Sequence, residues 1–147
     1  MRRLKIRKSI QFGMISVLIY LIFSTIAMLF YSGGDWFNPT LSHYNFFGSF
    51  LSDLGRMHGF SGSPTYATAV FYAVGLISMG IGTIVFFKTH HYLLSDTNTT
   101  LRFTATIMGI IAGLGYIGIA VTPWDLWPKI HLTFVFTGFL SFMVASM

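Results

Sequence analysis

The sequence predicts an all-α, polytopic integral membrane helical bundle: four transmembrane helices plus a short amphipathic interfacial helix. Three observations carry this. Hydrophobic residues make up 54% of the 147-residue chain and charged residues only 9%, whereas soluble domains carry about 25% charged residues. Mean hydropathy is +0.69. Finally, four apolar segments are each about as long as the roughly 20 helical residues that cross a hydrocarbon core. Glu is absent, and five of the nine basic residues (Arg2, Arg3, Lys5, Arg7 and Lys8) fall in the first eight positions, directly before an apolar run. The pI of about 9.8 therefore reports a basic tail against a lipid surface, and nucleic acid is not an expected partner. With no Cys, disulfides and thiolate metal sites are excluded.

The first segment, residues 11–31, follows the basic tail as an h-region would in a secretory signal. Its apolar part exceeds the usual ~7–15 residues and no A-x-A-like site follows, so it reads as a retained anchor. The second, third and fourth segments cover residues 66–87, 101–121 and 130–147. Lys and Arg concentrate in the N-terminal tail and in "KTHHYLLSDTNTTLR" (residues 88–102). By the positive-inside rule both face the cytoplasm of a cell membrane, with the N-terminus cytoplasmic. Residues 32–64 and 122–129 then lie outside, where Trp36, Trp124 and Trp127 suit the headgroup level. His90 and His91, beside Lys88, read as headgroup-facing. The chain reaches Met147 while still apolar, without a basic flank, and the expectation is the front part of a longer polytopic protein.

In lipid, helices pack through small residues that let backbones approach. Gly109 and Gly113 have that spacing in the third segment, as do Ser78 and Gly82 in the second, so these two segments are expected to pack together. No segment carries a charge near its centre, which disfavours a proton relay, ion site or voltage sensor.

The chemistry-bearing side chains sit on the predicted outer side. In "YNFFGSFLSDLGRMHG" (residues 44–59), Phe46, Phe47, Phe50, Leu51 and Leu54 alternate at helical spacing with Asn45, Ser49, Ser52, Asp53 and Arg56. This predicts an amphipathic helix of about three turns over residues 45–55, lying in the interface, its polar stripe turned from lipid and Asp53 paired with Arg56. In "TPWDLWPKIH" (residues 122–131), Pro128 suits the first turn of the fourth helix, Asp125 is placed to accept that turn's orphan N–H groups, and His131 lies one turn inside. Asp53, Asp125 and His131 are the candidate catalytic residues of an outer-leaflet lipid or envelope hydrolase. With His58 they form a candidate set for a hard or borderline metal, although no two share a compact ligand motif such as H-x-x-x-H. Ser42 with His43, or Ser52 beside Asp53, have proximity in sequence but not the geometry of a Ser/His/Asp group. The other reading is a non-enzymatic lipid-interacting, sensory or assembly component, favoured by the lack of a strong catalytic motif.

Three stretches carry a resemblance: "NFFGSFLSDLG" (residues 45–55), "AVFYAVGLISMGIGTIVFF" (residues 69–87) and "TPWDLWPKIHLTFVF" (residues 122–136). On these the chain resembles domain of unknown function 998, a prokaryotic family of polytopic membrane proteins. The resemblance implies a six-helix protein and marks Ser52, Asp53, Leu54, Gly55, Asp125 and His131, without implying an activity.

Overall fold

A computed structural model describes residues 2–90, 92–93 and 98–147 of the chain. They form four long helices, α1 (Arg2–Phe30), α2 (Tyr66–His90), α3 (Thr99–Val121) and α4 (Pro128–Ala145), and one 3₁₀ turn, Leu51–Gly55. All four helices are long and apolar enough to cross a membrane. At 1.5 Å per residue, α4 is about 27 Å long and α2 about 37 Å, against a hydrocarbon thickness of ~30 Å. His91, expected to face headgroups, and Asp96 lie outside the described residues.

α1 starts nine residues before the expected boundary, because Arg, Leu, Lys and Ile of the basic tail are adequate helix formers and continue the helix outward. Its 29 residues span about 43 Å, so one end carries a turn or two of cationic helix beyond the hydrocarbon. α3 is capped by Asn98, whose Oδ1 accepts from Thr100 N at 2.8 Å. α4 begins on Pro128, a position that needs no backbone donor.

The helices pack in chain order, α1 on α2, α2 on α3 and α3 on α4, and among the described residues α1 and α4 do not pack against each other. The result is an open row rather than a closed four-helix ring. Small residues set the close approaches. A Cβ on Gly113 would lie 2.6 Å from Gly80 O, and one on Gly115 2.5 Å from Gly138 Cα. Gly109 faces Phe87 of α2, whereas Gly82 faces Ser16 of α1 and Gly75 faces Tyr20 and Phe23 of α1. α2 therefore spends its small residues on both neighbours. Ser9 Oγ adds a hydrogen bond to Val85 O at 3.0 Å between α1 and α2.

The core gathers under the loops that join α1 to α2 and α3 to α4. Tyr31, Leu54, Tyr72, Leu76, Tyr116 and Ile119 are buried there, with Tyr20 and Tyr44 packed against them. The outer-face segment is shorter than expected. Residues 45–49 form turns and only Leu51–Gly55 are helical. Its polarity also departs from a simple stripe: Phe47 is 98% exposed while Asp53 is 2% exposed. The reason is local, because Asp53 turns inward to serve backbone and Leu54 plugs the tyrosine core.

Candidate functional site

The first connection is organised by Asp35. Gly34 sits at φ +72, where an added Cβ would lie 2.2 Å from Pro39 O, so this turn requires glycine. The chain then delivers Asp35 to a buried position. Its Oδ1 accepts from Phe37 N (2.8 Å) and Asn38 N (2.6 Å), and its Oδ2 from the Asn45 amide (2.8 Å). The Asn45 amide and these backbone donors hold the carboxyl below the usual carboxylate range. The sequence reading did not single out Asp35, although "DWFNP" carries the signal of an Asp that bonds the backbone two and three residues on.

Asp53 is held differently. Phe50 N donates to its Oδ2 at 2.8 Å, and Asp53 N returns a bond to Phe50 O at 3.0 Å. This reciprocal pair starts the 3₁₀ turn. Burial pushes the Asp53 carboxyl up, against the Phe50 bond and the positive charge of Arg56. The expected ion pair with Arg56 is replaced: Arg56 Nε donates to His58 O at 3.0 Å and the guanidinium lies 4.2 Å from the centre of the Phe60 ring. Tyrosines surround the carboxylate instead. Burial and the Asp53 charge push Tyr44 up to about 12 and raise Tyr31 as well. The Tyr31 hydroxyl is buried and, among the described residues, has no hydrogen-bond partner.

Asp125 joins the loop between α1 and α2 to the loop between α3 and α4. A turn that bonds Leu126 N and Trp127 N to Pro123 O aims its carboxylate across the bundle. There Oδ1 accepts from Met57 N and Oδ2 from His58 N, both at 3.0 Å. His58 Nδ1 lies 3.6 Å from Oδ2, and its Nε2 is 3.1 Å from the Tyr66 hydroxyl. Asp125 was expected to serve the first turn of α4; that helix begins after Trp127 with no side-chain cap. Its carboxylate goes to Met57 and His58 because their N–H groups are otherwise left over where the chain leaves the 3₁₀ turn. A second seam holds the same loop: Phe60 N donates to Gly33 O at 2.6 Å, and a Cβ on Gly59 would lie 2.3 Å from Gly33 Cα.

His131 is 2% exposed. Its Nδ1 lies 2.5 Å from the Thr122 carbonyl and therefore donates to it, which ties α4 to the residue just past the end of α3. Its Nε2 is buried without a partner, and Trp124 stands edge-on at 5.7 Å.

The candidate residues are thus on one side and the two loops meet, but among the described residues no hydrogen bond or ion pair links Asp53, Asp125 and His131 to one another. Each is committed to a backbone group. Asp125 uses both of its oxygens in this way, whereas Asp53 uses only Oδ2. Among the described residues no three His, Asp or Glu side chains gather closely enough to hold a metal ion.

The opposite end has the contrary character. Where α1 and α4 part, a groove of about 1220 Å³ runs between them, floored by α2 and α3 and lined almost wholly by apolar groups such as Met14, Leu18, Met79, Phe86 and Phe142. Beside it a smaller, mostly apolar cavity of about 430 Å³ is lined by Arg3, Ile6, Arg7, Gln11 and Leu93, and Ile10 borders both. Nothing in the apolar periodicity announces this groove, because it depends on which helices fail to touch. No protein-family model, curated protein or solved structure matches this chain.

Proposed function

We propose that this chain is a lipid-interacting, non-enzymatic component of the cytoplasmic membrane, with its N-terminus on the cytoplasmic side. The observation that carries the reading is the groove between α1 and α4. At about 1220 Å³ it exceeds the ~300–1,000 Å³ typical of a site for a drug-sized ligand. Its walls offer almost no hydrogen-bonding groups, and it opens laterally, where a membrane supplies acyl chains. The orientation is supported by the charge distribution: Arg2, Arg3, Lys5, Arg7, Lys8, Lys88 and Arg102 lie at the groove end, and Asp35, Asp53 and Asp125 at the other. The absence of a catalytic role is supported by the way Asp53, Asp125 and His131 are each consumed in holding backbone.

The test is lipid retention. The full chain, extracted in mild detergent and measured by native mass spectrometry, is expected to carry phospholipid. Exhaustive detergent exchange should strip that lipid and lower the unfolding temperature, and re-addition should restore it. A chain that carries no lipid and whose unfolding temperature ignores added phospholipid would falsify the reading.

A further inference from the structure

The geometry points to a headgroup-selective site: the groove between α1 and α4 takes the acyl chains of one anionic glycerophospholipid, whose phosphate is held by Arg3 and Arg7. This deepens the lipid-interacting reading above and rests on it. The wall that α1 gives to the groove runs from Ile10 to Leu21, about 17 Å of helix. That is close to the ~15 Å of hydrocarbon in a single leaflet, so the groove has the depth of an acyl chain lying in one leaflet and stops short of crossing the bilayer.

At the basic end of the molecule the groove and the smaller cavity share Ile10 as a wall. Arg3 and Arg7 are four residues apart and therefore share a face of α1. Both are exposed, and both line that cavity together with Gln11. Guanidinium groups bind phosphate oxygens in a bidentate fork, which a zwitterionic lipid's own ammonium group competes for and an anionic lipid's headgroup does not. No acidic residue occurs before Asp35, so no carboxylate on α1 offers these arginines a partner. Lys8 and Lys88, both exposed, add to the positive field at the same end. An apolar trough one leaflet deep that ends at a pair of arginines has the charge and length order of an anionic phospholipid.

The experiment equilibrates the full chain in detergent with equal amounts of phosphatidylglycerol and phosphatidylcholine of the same acyl composition, then reads bound lipid by native mass spectrometry. The expected result is preferential retention of one phosphatidylglycerol. In R3Q/R7Q that preference falls roughly tenfold or more, the worth of two surface cations against an anionic headgroup. Leu18 is 56% exposed on the groove wall, so Leu18→Trp fills the groove without entering the core. It is expected to reduce retention of both lipids, with helical content by circular dichroism unchanged. Retention of both lipids without preference, or a preference that survives R3Q/R7Q, overturns the headgroup site while leaving lipid binding standing. Undiminished retention in a normally helical Leu18→Trp variant overturns the groove as its location. Because the chain has no Cys, Met14→Cys gives a clean probe of the competing occupant. Efficient cross-linking through it to a second copy, with lipid excluded, overturns the proposal in favour of self-association. If the wild type retains no lipid at all, the broader reading fails with it.

Discussion

The two ends of this molecule solve the same problem in opposite ways. At the loop end, three carboxylates and a histidine could have been exposed, yet Asp35, Asp53, Asp125 and His131 are turned onto N–H or C=O groups of the chain itself. At the basic end, seven Lys and Arg residues stand around helices that do not close on one another. Buried polar groups cost free energy unless paired, and the loop end pairs them internally. At the basic end an apolar wall stands beside exposed cations such as Arg3, Arg7 and Lys88. The residues that look most chemical in the sequence, Asp53, Asp125 and His131, each bond a backbone group.

The comparison is broken most severely by Asp125→Ala. That change leaves Met57 N and His58 N without their acceptor, and bonds from backbone to a charged group are worth about 1.5–3 kcal/mol. We expect a loss of stability of that order and faster hydrogen exchange at the Met57 and His58 amides, with lipid retention at the other end unchanged. Loss of both properties together would show the two ends to be coupled.

A smaller effect separates two carboxylates at the same end. The folded state lowers the carboxyl of Asp35, so its contribution to stability is present above the ordinary carboxylate range and lost as pH falls through the lowered value. Asp53 is raised, and the sign reverses: the folded state favours its protonated form, and stability declines as pH rises from the ordinary range through the raised value. Asp35→Asn is therefore expected to remove part of the acid-side loss in a melting curve against pH. Asp53→Asn should leave the fold intact and flatten the decline on the higher side. Identical pH profiles for the two variants would defeat the distinction.

The smallest effect concerns Phe47, which is 98% exposed beside the similarly exposed Phe46 and Phe50. Phe47→Ser should change unfolding in detergent by no more than ~0.5 kcal/mol. In bilayers it should shift the loop toward water, read as lower protection from a soluble quencher, because exposed aromatics at this end act as interfacial anchors.

How much of this was legible in the sequence varies by element. The four spanning helices and the starting proline of α4 follow from apolar length and Pro128 alone. The 3₁₀ turn was misread as a longer amphipathic helix because Phe46, Phe47 and Asp53 have helical spacing. What spacing does not reveal is that Asp53 bonds Phe50 N and turns its back on water. Asp125 was recognised, but not its target, since its partners lie 67 and 68 positions away. The groove was invisible for a related reason: it lies where, among the described residues, the first helix and the last do not pack together, and periodicity reports which face a helix hides without reporting from whom.

The length of the Asp125 connection bears on the order in which the chain is made. Residues 57 and 58 leave the ribosome long before residue 125, and α3 must be made before the carboxylate can reach the first loop. Until then the first loop is shaped by its own bonds, among them the Gly33 to Phe60 seam, the Asp35 turn, the Asp53–Phe50 pair and the bonds of Thr65 to Arg56 and Met57. A nascent chain arrested before Trp124 should therefore present a loop open to protease, and one extended past α4 a loop that resists it. The latch closes only once the third helix and the turn after it are in place.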